Sequence, residues 1–91
     1  MKILLYFDWA GTRKEVAEHA AKMEAAAKET GVTYLGIYGS MNQKWNFCYM
    51  FDAKSYDQFM DMAKKIPRPI QMTHYITELL IQANLSPQKE P

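Results

Sequence analysis

The hydrophobic pattern of this chain switches four times between the period of a strand and the period of a helix. Lys2–Trp9 places Ile3, Leu5 and Phe7 on one side of an extended segment and Leu4 and Tyr6 on the other, with Asp8 as the polar residue near its end. A strand that is apolar on both faces requires cover on both faces. Thr12 and Glu15 then stand at capping-box spacing and open a helix predicted over Arg13–Thr30. Val16, Ala20, Met23 and Ala27 fall on its inner face, and Glu18–Lys22 and Glu24–Lys28 are spaced as supporting i,i+4 pairs on the outside. Gly31 stands where a C-terminal cap belongs.

A second strand is predicted over residues 32–40, which are rich in β-branched and aromatic side chains. The polar run Met41-Asn42-Gln43-Lys44 has the length of a hairpin turn. The third strand, residues 45–52, alternates Trp45, Phe47, Tyr49 and Phe51 with Asn46, Cys48 and Met50. It too is apolar on both faces and is expected at the centre of a sheet. Ser55 and Gln58 repeat the capping pattern before a second helix, ending near Lys65, whose apolar face is Tyr56, Phe59, Met60, Ala63 and Ile66. Ile66-Pro67-Arg68-Pro69 ends that helix, because proline cannot continue its hydrogen-bond ladder. The last strand is predicted over residues 70–80, and residues 82–91 form a polar, proline-bearing tail.

The order βαββαβ, with right-handed connections through the helices, gives a ferredoxin-like α+β domain over residues 1–81: a four-stranded antiparallel sheet with both helices on one face. The other face then exposes residues drawn from Leu4, Tyr6, Tyr34, Tyr38, Cys48, Met50 and Tyr75, according to which parity turns inward. A patch of that kind is large for a small monomer. Pairing two sheets through a two-fold axis covers it, so a homodimer is expected.

Composition narrows the partners. A chain of 91 residues suits one domain with a small core, and 48% hydrophobic against 23% charged residues is an ordinary globular balance. The net charge of +1 lacks the basic surface that nucleic acid requires. Residues 44–51 read Lys-Trp-Asn-Phe-Cys-Tyr-Met-Phe, which lacks the glycine of an RNA-recognition octapeptide. There is no signal-peptide pattern and no apolar run of membrane-spanning length, so a cytoplasmic location and no membrane partner are expected. The single cysteine, Cys48, cannot form an internal disulfide or a cysteine metal cluster.

The chemistry-bearing candidates are few. His74, in the last strand between Met72 and Ile76, is a candidate base. Asp8, beside aromatic residues at the end of the first strand, is a second candidate, against the plainer role of bonding loop amides. His19 reads as a solvated residue on the rim of the first helix. Cys48 reads as a small core residue with no basic neighbour in sequence to activate it. Six tyrosines and two tryptophans suit either a dimer core or a site that stacks a flat apolar ligand, and Tyr6, Trp9, Tyr38, Tyr49 and His74 are the candidate ligand-binding residues. No metal site, cofactor motif or phosphate-binding loop is present in the pattern.

Trp9 closing the first strand, Tyr34-Leu35-Gly36 in the second, Asn46-Phe47 opening the third and Asp52-Ala53 before the second helix resemble the dimeric α+β barrel superfamily over residues 2–80. The likeness is nearest to its small GYD-type and DUF3303 domain families. The resemblance implies a face-to-face dimer of four-stranded sheets with a pocket between sheet and helices. The haem-degrading members use an asparagine, a tryptophan and a histidine on the second helix. That helix has no histidine here, so Asn46 and Trp9 do not carry over as a haem set. Two functional readings follow: a homodimeric module that binds a small apolar or aromatic molecule or acts in regulation, and a cofactor-independent monooxygenase or isomerase of a small aromatic or lactone-like metabolite, using His74 or Asp8 as base.

Overall fold

A computed structural model describes residues 1–39, 45–83 and 85. The elements are β1 (Lys2–Trp9), α1 (Arg13–Thr30), β2 (Thr33–Gly39), β3 (Phe47–Asp52), α2 (Tyr56–Lys64) and β4 (Met72–Leu80). The strands form one antiparallel sheet in the order β2-β3-β1-β4, which is the ferredoxin-like α+β arrangement. The two doubly apolar strands, β1 and β3, are its central pair. The expected run 41–44 and most of the expected tail lie outside the described residues.

Both helices start as their sequences dictate. The Thr12 hydroxyl accepts from the Glu15 amide at 3.1 Å, and the Glu15 carboxylate accepts from the Thr12 amide at 2.9 Å. The same carboxylate accepts from the Gln71 side chain at 2.7 Å, so the cap of α1 is also tied to the entry of β4. Ser55 caps α2 by accepting from the Gln58 amide. The Gln58 side chain reaches outward instead of back to Ser55: it accepts from the Lys54 amide and donates to the Thr30 carbonyl at the end of α1. Gly31 closes α1 with φ +78°, a conformation that strains a residue bearing Cβ.

Odd-numbered residues of β1 turn toward the helices. Ile3, Leu5 and Phe7 join Tyr49 and Phe51 of β3, Val16, Met23, Ala26 and Ala27 of α1, and Phe59 and Met62 of α2 in one core. Phe7 stacks on Tyr49 with ring centres 5.1 Å apart and planes 19° apart.

Two bulges decide parities that simple alternation misassigns. In β2 the register skips Leu35, so Tyr34 opposes Phe51 on the helix side while Gly36, at φ +129°, opposes Met50 and Tyr38 opposes Cys48 on the open side. In β4 the register skips Thr73, so Met72 opposes Trp9 while His74 opposes Asp8. His74 therefore shares a face with Ile76 but not with Met72, which is buried on the helix side. Tyr34 and Tyr75 belong to the helix side, and Leu4, Tyr6, Tyr38, Cys48 and Met50 to the open side. β4 begins at Met72, two residues later than the alternation suggests, because Ile70 follows Pro69 into a turn and is fully solvated.

Candidate functional site

The candidate site is built around His19. Its position on α1 is three residues after Val16 and four before Met23, so it points inward with them and is buried. This corrects its reading as a solvated rim residue. The inner stripe of α1 is Val16, His19, Met23, Ala26 and Ala27, with Ala20 at its border. The signal was present in the helical spacing; the polarity of histidine is what concealed it.

Opposite His19, Tyr49 projects from the centre of β3 and is completely buried. Its hydroxyl lies 2.7 Å from His19 Nδ1. Trp9 also packs against the imidazole, at 5.6 Å between ring centres. Burial, helped by the nearby Lys22, pushes the His19 pKa below its ordinary value, so the ring is neutral near pH 7. Burial, with Tyr34 adding to it, raises the Tyr49 phenol far above its ordinary value, so it keeps its proton. That proton requires an acceptor, and among the described residues His19 Nδ1 is the one within reach. The arrangement selects the tautomer in which Tyr49 donates to Nδ1 and the proton of His19 is on Nε2. His19 thus offers an N–H donor to whatever occupies the space beside it.

That space is a cleft of about 300 Å³ between α2, the inner side of β4 and the start of the sheet. Phe59, Met60, Ala63, Met72 and Leu5 give it apolar walls, His19 lines it, and Arg68, Tyr75 and Thr77 also border it. α2 supplies its wall because Tyr56, Met60 and Ala63 recur at helical spacing beside the core residues Phe59 and Met62. The Arg68 guanidinium stands over the Tyr75 ring, 5.0 Å from its centre. A wider groove of about 570 Å³ lies by Trp9, Gly11, Arg13, Trp45 and Asn46, and Arg13 is its one charged lining residue.

The five residues expected to bind a ligand do not form one set. Trp9 and Tyr49 belong to the helix side, where both touch His19; Tyr6, Tyr38 and His74 belong to the open side. Asp8 and His74 pair across β1 and β4, with Nδ1 3.8 Å from the carboxylate, and neither lines the cleft or the wider groove. Asp8 also accepts the Asn46 amide at 3.2 Å, while Asn46 Oδ1 accepts the Trp9 amide at 3.1 Å. These reciprocal bonds fix the start of β3 against the end of β1, which is the loop-bonding role expected of an aspartate there. Cys48 is buried on the open side, and burial together with Glu78 raises its pKa, which disfavours the thiolate.

The open side carries Leu4, Tyr6, Cys48 and Met50 at its centre, with Tyr38, Ile76 and Leu80 around them. Leu4 and Cys48 are already shielded by their neighbours, whereas Tyr38, Ile76 and Leu80 are each close to half exposed. Among the described residues there is no group of three metal-ligating side chains, and no helix is long and apolar enough to cross a membrane. Comparison with family models and with curated proteins finds no match to this chain.

Proposed function

We propose that this protein is a homodimeric module that binds a small, largely apolar or aromatic molecule in the cleft between α2 and β4. The observation that carries the ligand reading is the cleft itself. It has the lower-end volume of a small-molecule site, mostly apolar walls, and a buried neutral histidine whose orientation is set by a buried tyrosine. The open face, with Tyr38, Ile76 and Leu80 half exposed around an apolar centre, supports pairing of two sheets. Native mass spectrometry of the purified protein, repeated after denaturation, tests both parts. The reading expects a dimer carrying added mass that is released on denaturation. A monomer at micromolar concentration contradicts the dimer, and failure of any apolar or aromatic compound to bind contradicts the cleft.

A catalytic reading, as a cofactor-independent monooxygenase or isomerase of a small aromatic or lactone-like metabolite, draws specific support from His19 in place of His74 or Asp8. A neutral imidazole that donates from Nε2 stabilises negative charge developing on a substrate oxygen. Turnover abolished by His19→Ala but unaffected by His74→Ala is the expected outcome of that reading.

A further inference from the structure

The cleft contains one formal charge. Of the residues that line it, Arg68 is the only one charged at neutral pH, and no aspartate or glutamate borders it. Arg68 makes no ion pair among the described residues; its guanidinium stands over the Tyr75 ring, a contact that holds it without neutralising it. The neighbouring cation Lys65 is already paired with Glu29 at 3.3 Å. His19 lines the cleft, and its second ring nitrogen is a donor, since Nδ1 is taken by the Tyr49 proton. An apolar pocket with a guanidinium free of ion pairs among the described residues at its exposed edge, and a donor histidine among its lining residues, is complementary to one kind of molecule.

We propose that the cleft selects an organic acid: a flat apolar or aromatic body bearing a carboxylate. Arg68 binds the carboxylate at the mouth, Phe59, Met60 and Met72 enclose the body, and His19 donates to an oxygen at the inner end. This rests on the cleft being a ligand site and adds the charge of the ligand. A planar guanidinium is the side chain best matched to a carboxylate, because its parallel N–H groups can bind both oxygens. A neutral ligand leaves that group unused and gains only burial.

The test uses the full chain labelled with nitrogen-15 and two probes of equal shape, 2-naphthoate and 2-naphthalenemethanol, followed by amide chemical shifts. Both are expected to shift amides in residues 59–63 and 72–77, with the naphthoate bound about tenfold more tightly, as one charge-assisted pair supplies. Arg68→Met is expected to bring the naphthoate down to the affinity of the alcohol, and Arg68→Lys to keep part of the preference. Arg68 is exposed, so neither substitution endangers folding. Equal binding of the two probes to the unaltered protein overturns the acid selectivity while leaving the cleft as a ligand site. A naphthoate preference that survives Arg68→Met overturns the role of Arg68. Binding of neither probe, or shifts confined to the open face, overturns the cleft reading itself.

Discussion

The Tyr49 hydroxyl and His19 Nδ1, 2.7 Å apart, join the central strand β3 to α1 across the core. The bond has two consequences. It satisfies two polar groups that burial otherwise makes costly, and it determines which nitrogen of the imidazole carries the proton.

Tyr49→Phe keeps the ring stack on Phe7 and removes only the hydroxyl. His19 Nδ1 then loses its partner at a buried position. The expected cost is about 1–3 kcal/mol, read as a lower midpoint of urea unfolding with an unchanged slope. An unaltered midpoint would show that His19 finds water or another partner.

The pH dependence follows from the lowered His19 pKa. Between the folded value and the ordinary histidine value of 6.5, the unfolded chain binds the proton that the folded chain refuses. Stability from this group is therefore fully present above that ordinary value and is lost as pH falls through the folded one. The half-buried residues Glu15 and Asp52, whose carboxyl pKa values are lowered by hydrogen bonding, add losses of the same sign only below their ordinary values of 4.5 and 3.8. Unfolding midpoints measured from pH 8 down to about 5 should decline, and His19→Gln should flatten the decline.

Ile76 opposes Tyr6 on the open face and is 47% exposed in the single chain. Ile76→Lys costs the isolated fold little, while placing two charges in a paired-sheet interface. Sedimentation should show a folded monomer with an unchanged circular dichroism spectrum. A variant that stays dimeric would locate the self-association elsewhere.

Gly31→Ala imposes Cβ on a left-handed residue and brings it 3.0 Å from Gln58 Nε2. That nitrogen holds the Thr30 carbonyl, so the substitution also disturbs the link between the two helices. A loss of about 1–2 kcal/mol is expected, lowering the thermal midpoint by about 4–8 °C per kcal/mol for a domain of this size. An unchanged midpoint would show that the cap relaxes without cost.

The fold was legible because each of its determinants is local. The bounds of β1 and α1 follow from the alternation of Ile3, Leu5 and Phe7 and from the Thr12–Glu15 cap, and the central placement of β1 and β3 follows from their two apolar faces. The site was less legible because its parts depend on register. The bulge at Thr73 separates His74 from Met72, and the bulge at Leu35 separates Tyr34 from Tyr38, and neither Thr73 nor Leu35 has a residue type that announces one. His19 was misplaced for a different reason. A histidine looks like surface until its partner is known, and Tyr49 is thirty residues away in the chain. Arg68 follows a helix-ending proline and reads as part of a stop signal; only the packing of α2 beside β4 brings it to the cleft.

The placement of β1 has a bearing on how the protein is made. The strand of this sheet that is made first, β1, pairs on one side with β3 and on the other with β4, the strand of the sheet that is made last. Until Met72–Leu80 emerges, one edge of a strongly apolar strand has no mate, and α2 has no second wall to enclose the cleft. The nascent chain can form α1 and the β2–β3 pairing early, but it cannot complete the sheet before β4 has been made. A chain halted before residue 72 would therefore expose one edge of β1 as an open template for any other strand, so the order of synthesis, and not only the final fold, sets when this domain is most prone to aggregate.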